Sequence, residues 1–357
     1  MPLPFQSPPG HLCVLRLSAI GDVCHTLAVV RAIQAHWPQT KITWIIGALE
    51  ASLLADIPGI EFITFDKKIG WAAFAALRRA LRGKRFDALL DMQVALRASL
   101  ASLLITSPLR IGFDRARAKD LQWLFTNQRI APQQREHALD ALFGFARVLG
   151  VREKILRWDI PIPLAARSYA QQQLPGEQAT LIVSPCSSAR VRNWRNWSAQ
   201  RYAQVVDFAV EQHGMRVLLT GGPTLLERDI GAQIMQLARH VPQNLIGQTN
   251  LKQLLALLER GTVVISPDSG PAHMATCVGT PVIGLYATSN PLRTGPYLSQ
   301  RWVINKYPEA VRADGGKSVD EVSWGQRVRR PDAMDLITVG DVTNKLTELL
   351  ADHAAAI

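Results

Sequence analysis

The stretch Leu12-Cys13-Val14-Leu15-Arg16-Leu17-Ser18-Ala19-Ile20-Gly21-Asp22, continuing in a helical pattern to Trp37-Pro38, decides the fold of this chain. The apolar run reads as a buried strand, Gly21 permits a tight turn, and the proline closes the helix that follows. Outward from there the rhythm repeats. Strands are expected at residues 41–46, 61–65, 88–91 and 110–112, and a helix with a mixed basic face at 71–82. Short apolar runs alternating with helices predict an α/β fold on a parallel, doubly wound sheet.

The prolines of Trp158-Asp159-Ile160-Pro161-Ile162-Pro163 then hold the chain extended, and the polar segment 171–178 carries Pro175-Gly176. This reads as an interdomain connection, dividing the chain into domains at 1–165 and 166–357. Beyond it strands are expected at 180–184, 216–220, 263–266 and 282–286, with helices at 199–213, 225–239, 251–259 and 339–351. A length of 357 residues suits two such domains. The expected architecture is two facing Rossmann-like domains with parallel sheets, their ligands beyond the carboxyl ends of the strands. The last helix is a candidate to pack back on the N-terminal domain.

Those strand ends carry the chemistry. Asp22, at the mouth of the first strand, reads either as a helix-start residue that complements the dipole or as a general base facing the cleft. Ser266-Pro267-Asp268-Ser269-Gly270-Pro271-Ala272-His273 follows the apolar run 263–265. Pro271 suits a first helical turn, and the Ser269 and Gly270 amides with the dipole behind them form an anion cradle. Asp268 is suited to sugar hydroxyls, and His273 is either functional or a satisfied structural histidine. Ser184-Pro185-Cys186-Ser187-Ser188, then Arg190, Arg192, Asn193 and Trp194, combines small hydroxyls with guanidinium groups. That combination fits a diphosphate leaving group, or equally a basic loop. Gly221-Gly222-Pro223 is a further close-approach turn. Glu227 after it meets either a ribose or solvent.

Lys and Arg total 40 against 29 Asp and Glu, a net charge of +11. The excess is uneven: residues 67–119 hold 12 basic and 3 acidic side chains. Such a stretch favours an anionic partner or is a solvated helix face. A nucleic-acid partner would call for aromatics interleaved with the basic residues. Only Trp71, Phe74, Phe86 and Phe113 occur there, at positions suited to core packing. No run reaches the ~18 apolar residues of a membrane span, and the N-terminus lacks a signal-peptide pattern, so a soluble cytoplasmic chain is expected. Cys13, Cys24, Cys186 and Cys277 are too scattered for a disulfide or zinc framework and read as buried small hydrophobes. Asp-x-Asp, P-loop, Gly-x-Gly-x-x-Gly and Gly-x-Ser-x-Gly patterns are all missing.

Leu15-Arg16-Leu17-Ser18-Ala19-Ile20-Gly21-Asp22-Val23 with His25-Thr26-Leu27 resembles the opening motif of the ADP-heptose:lipopolysaccharide heptosyltransferases, glycosyltransferase family 9. Asp268-Ser269-Gly270-Pro271-Ala272-His273, then Gly279-Thr280-Pro281 and Ser289-Asn290-Pro291, resembles their C-terminal signature. The resemblance covers nearly the whole chain. It implies a GT-B fold, with the acceptor on the N-terminal domain and the sugar nucleotide on the C-terminal one. It also implies inverting, metal-independent transfer of heptose from ADP-heptose to the inner core of lipopolysaccharide, on Kdo–lipid A or heptosyl-Kdo–lipid A, with no cofactor. The implied base is Asp22. Implied donor contacts are Ser187, Ser188, Arg192, Asp268, Ser269 and Gly270, although the family commonly has lysine where Arg192 is aligned; Glu227 and His273 join the donor candidates from the reading of the residues themselves. Acceptor contacts are expected at Ser18, Gly21, Lys67, Lys68, Arg97, Arg115 and Arg117. The basic stretch would then meet lipid A and the anionic inner face of the inner membrane, with no role for nucleic acid. The competing readings are a GT-B transferase or epimerase for another nucleotide sugar and a non-catalytic anionic-lipid-binding module. Residues 305–335 look atypical for the family, as a flap or a surface insertion.

Overall fold

In the computed structural model, which describes residues 4–187 and 193–355, the opening stretch forms strand β1 (His11–Leu15) and a helix, Ile20–His36. The chain divides into two compact units, Met1–Pro161 and Ile162–Ile357. The first holds β1, β2 (Lys41–Gly47), β3 (Glu61–Phe65), β4 (Ala88–Asp91), β5 (Leu109–Gly112) and β6 (Gln128–Arg129). All pair in parallel in the order β3-β2-β1-β4-β5-β6. The second holds β7 (Thr180–Val183), β8 (Arg216–Leu219), β9 (Gln243–Asn244), β10 (Val263–Pro267), β11 (Val282–Tyr286) and β12 (Ile304–Asn305). Their order, β12-β11-β10-β7-β8-β9, is the same winding counted from β7.

Each sheet therefore reverses direction beside its first strand, between β1 and β4 and between β7 and β10. Loops leaving the two central strands diverge there and open a crevice at their carboxyl ends. The central strands are buried from end to end, because helices cover both faces of a parallel sheet. Helix Ile20–His36 is buried nearly all round, from Gly21 to Ile33, and packs against the helix Ala138–Leu149. The latter was not read from the sequence, nor were the edge strands β6, β9 and β12, each two residues long. Two residues carry no periodicity, so only their partners define such strands.

The expected connection belongs in part to the first unit. The Trp158 indole N–H donates to the Cys24 carbonyl at 2.9 Å, and Trp158 and Ile160 are buried. The last helix, Val339–Ala355, finds its apolar partners in the second unit, where Val342, Leu346 and Leu349 pack with the helix Ala199–His213 and beside β11 and β12. Residues 305–335 are anchored at both ends, where Tyr307, Ala310, Val311, Val328, Ala333 and Met334 enter the core of that unit, while most of 312–327 between them is exposed. Cys13, Cys24 and Cys186 are buried as expected, and Cys277 is half-buried. Among the described residues no helix is long and apolar enough to cross a membrane.

Candidate active site

In the first unit, Asp22 lies in the first turn of helix Ile20–His36, just beyond β1. Its carboxylate accepts the Ala19 N–H at 3.1 Å and meets Arg16 Nη2 at 2.6 Å, while 42% of the side chain stays exposed. Capping and reactivity are thus compatible: the group is oriented and still reaches solvent. Arg16 Nη1 donates to the Met92 carbonyl, so one guanidinium ties the loop after β1 to the loop after β4. Gln93 Oε1 accepts the Leu17 N–H at 2.6 Å and the Ser18 N–H at 3.1 Å, and its amide reaches the Ser18 hydroxyl at 3.3 Å. Glu50, in the helix Ala48–Leu54, lies over Gly47. A Cβ at Gly47 would stand 2.4 Å from Glu50 Oε2 and 2.3 Å from the Leu17 carbonyl, so only glycine allows this approach. Burial raises the Glu50 carboxyl above its ordinary range; its own backbone N–H, Lys67 and Arg16 oppose the rise, and Asp22 adds to it.

In the second unit, Ser187 follows β7. Its N–H donates to Asn196 Oδ1 at 2.9 Å and its hydroxyl to Asn193 Oδ1 at 2.8 Å. Arg195 Nη1 donates to the Asp268 carbonyl at 2.8 Å and to Asp268 Oδ2 at 3.2 Å, joining the loops after β7 and β10. The Ser269 hydroxyl pairs with Ser266 at 2.6 Å, so helix Gly270–Cys277 starts without a side-chain cap, with Pro271 in its first turn. Uncapped first-turn N–H groups with the dipole behind them attract an anion. His273 is buried within that helix. Glu227 accepts the Gly222 N–H at 2.8 Å and the Thr224 hydroxyl at 2.6 Å, closing the glycine turn after β8. Burial pushes the Cys186 thiol up to about 12, with Glu227 adding, so it stays a protonated thiol and no nucleophile. Among the described residues no group of three or more His, Cys, Asp or Glu is placed to hold a metal ion.

The profile of glycosyltransferase family 9 (heptosyltransferase) matches residues 74–319. The chain belongs to glycosyltransferase family 9. The lipopolysaccharide core heptosyltransferase OpsX of Haemophilus influenzae is 43% identical over 98% of this chain and 99% of its own. Among solved structures, the family 9 glycosyl transferase of Veillonella parvula aligns with a TM-score of 0.80 at 21% identity, over 98% of this chain and 99% of its own. The Escherichia coli heptosyltransferase WaaC, solved with ADP, aligns with a TM-score of 0.72 at 19% identity, over 95% and 99%. These likenesses show that the two parallel sheets are the two halves of a GT-B fold.

For this family 9 glycosyltransferase, several sequence expectations meet a specific geometry. Arg117 pairs with Asp114 and Glu136 and donates to the Ala131 carbonyl at 2.8 Å, so its guanidinium is held by the first unit's own groups. Lys67, Lys68, Arg97 and Arg115 are exposed, Arg115 over the Trp123 ring at 5.1 Å. Ser18 and Gly21 lie in the Asp22 loop, with Gly21 buried. Ser188 and Arg192 lie outside the described residues. Sequence reading passed over Arg195, Glu50 and Gln93. Arg195 had a signal: the tripeptide Arg-Asn-Trp occurs twice, at 192–194 and 195–197. Trp197 is the copy that anchors in the core, its indole N–H donating to the Ile337 carbonyl at 3.0 Å, and this brings Arg195 to Asp268.

Proposed function

We propose that this enzyme transfers heptose from ADP-heptose to the inner core of lipopolysaccharide, with Kdo–lipid A or heptosyl-Kdo–lipid A as acceptor. The observation that carries the reading is the Asp22 carboxylate, gripped by Arg16 at 2.6 Å yet open to solvent at the mouth of β1. In one displacement the acceptor hydroxyl oxygen attacks the anomeric carbon and its proton passes to Asp22. The bond from that carbon to the diphosphate oxygen breaks, and ADP leaves with the electron pair. Attack opposite the leaving group inverts the anomeric centre. Arg195 and the first-turn amides of helix Gly270–Cys277 supply the positive charge and donors that the departing diphosphate needs, in place of a metal ion, and Ser187 joins them once its hydroxyl turns from Asn193 to the phosphate. Ser188 and Arg192 complete the donor set implied by the family motifs, with His273 as a further donor candidate. Asp268 and Glu227 accept from sugar hydroxyls; each carboxylate oxygen keeps a second lone pair beyond its internal bond.

Purified enzyme should release ADP and lengthen a Kdo–lipid A acceptor when given ADP-heptose. Transfer from UDP-sugars with no use of ADP-heptose would overturn the reading in favour of another nucleotide-sugar enzyme. Mass spectrometry of core oligosaccharide from a strain lacking the protein then identifies the step by the length of the truncated core.

The acceptor side is assigned to the first unit, at the cytoplasmic surface of the inner membrane. Trp71, expected from its position to pack in the core, is instead 79% exposed beside Ile69, Lys67 and Lys68, an aromatic among cations suited to an anionic lipid interface. At roughly 1 kcal/mol per lysine near such a surface, Lys67→Glu with Lys68→Glu should cut transfer to vesicle-borne acceptor by about 10-fold or more. ADP binding should be unchanged, and equal loss of both would remove the assignment.

A further inference from the structure

The end of β4 holds a carboxyl that the transfer as described does not use. Asp91 is fully buried, and neither of its oxygens makes a hydrogen bond of normal geometry. It pairs in register with Leu15 on β1, as Leu89 pairs with Cys13, so its side chain shares the apolar face of the sheet with Cys13, Leu15 and Leu89. The helices on that face, Ala72–Ala80 and Leu96–Ser102, turn alanine and leucine toward it and keep Arg78, Arg79 and Arg97 exposed. The charged and titratable groups that bear on Asp91 are therefore few. Arg110 comes from β5 and Arg16 from the loop after β1, and the buried Cys13 thiol lies on β1. Burial pushes the carboxyl up to about 7, against the Gln122 amide, the Gln93 backbone N–H, Arg110 and Arg16, all of which favour the charged form. Arg110 is already engaged with the carbonyls of Phe125, Ile105 and Ser102. Arg16 is different. It holds the residue next to Asp91 through the Met92 carbonyl, it holds Asp22, and its Nε is buried without a partner.

We propose that Asp91 is a positioning residue for the transfer, setting through Arg16 how strongly the Asp22 carboxylate is held and hence how readily it takes the acceptor's proton. The proposal rests on Asp22 as the base. When Asp91 is ionised, Arg16 divides its attraction between two carboxylates, and Asp22 becomes the more basic. When Asp91 is protonated, Arg16 bears on Asp22 and on the distant Glu50 alone, and Asp22 is less basic. Near neutral pH the rate of the chemical step therefore moves between two non-zero levels instead of falling to nothing.

Single-turnover transfer, measured with ADP-heptose and acceptor from pH 6 to 8, reads this step free of product release. The wild-type rate should rise about 3- to 10-fold across the range, the size of one charge acting on a proton-transfer step through a partly screened interior. Asp91→Asn should be flat at the lower level while binding ADP as the parent does, and Asp91→Glu should restore a step. A wild-type rate with no step between pH 6 and 8 overturns the proposal without any variant, as does an Asp91→Asn enzyme that keeps the wild-type step. Should Asp91→Asn fail to fold, an Asp91→Glu profile identical in midpoint and height to the parent overturns it. The base assignment fails separately: if Asp22→Asn keeps the parent's rate, that reading is lost whatever Asp91 does.

Discussion

Replacing Asp22 by Asn should lower turnover by about 1,000-fold while ADP binds as in the parent, because a positioned general base contributes roughly 10²- to 10⁴-fold. The substitution is nearly isosteric. An Asn oxygen can still accept the Ala19 N–H that Asp22 accepts at 3.1 Å, so the start of helix Ile20–His36 survives. What is lost is the charge facing Arg16 and the ability to take a proton. Arg16 keeps its bond to the Met92 carbonyl, so the loop after β1 stays tied to β4. The proposed donor elements follow β7, β8 and β10 of the other unit, which makes ADP affinity an independent readout. Isothermal titration with ADP and a discontinuous transfer assay on the same preparation test both halves. Turnover within a few-fold of the parent would mean that Asp22 only caps its helix and that the acceptor's proton goes to another base.

Arg195→Met should weaken ADP and ADP-heptose binding by about 100-fold, roughly 2.8 kcal/mol at 1.4 kcal/mol per decade. Arg195 and Asp268 are both largely buried, at 3.2 Å, and the same nitrogen holds the Asp268 carbonyl at 2.8 Å. Removing one partner of a buried ion pair leaves the other charge uncompensated, and the proposed diphosphate site loses a guanidinium. Arg195→Lys should recover part of the affinity, since a lysine carries the charge but not the planar fork. Arg192→Met is the informative comparison. If it costs more ADP affinity than Arg195→Met, the diphosphate contact belongs to the first Arg-Asn-Trp copy, as the sequence alone suggested.

That pair of arginines marks where reading from residues alone stops. Two identical tripeptides three positions apart have the same local properties, and only the burial of Trp197 selects the register. The ion pairs of Arg117 were hidden for a related reason: a basic residue in a basic stretch gives no sign of the Asp114 and Glu136 carboxylates that the fold sets against it. Helix Ala138–Leu149 was passed over although its apolar face is well formed, and Glu50 carried no signal beyond its proximity to a glycine. By contrast the strands 61–65, 88–91 and 282–286 and the helix 199–213 match the sequence reading to the residue, because each is either a short apolar run or an amphipathic period bounded by Gly, Pro or polar breaks.

The sequence by itself determined the alternation of strand and helix and the family, and therefore put Asp22, Ser187 and Asp268 just after the carboxyl ends of strands. Those properties are local: hydrophobic periodicity and turn chemistry act within a few residues along the chain. Only the tertiary structure decided which strands are neighbours, and with that everything that depends on a pair. It set Arg16 between Asp22 and β4, Arg195 against Asp268, and Asp91 in an apolar face without a hydrogen bond of normal geometry. A carboxylate on β4 and an arginine after β1 are 75 residues apart in sequence (91 − 16). Their coupling exists because parallel pairing brings Leu15 and Asp91 side by side and burial removes the water that would have screened them.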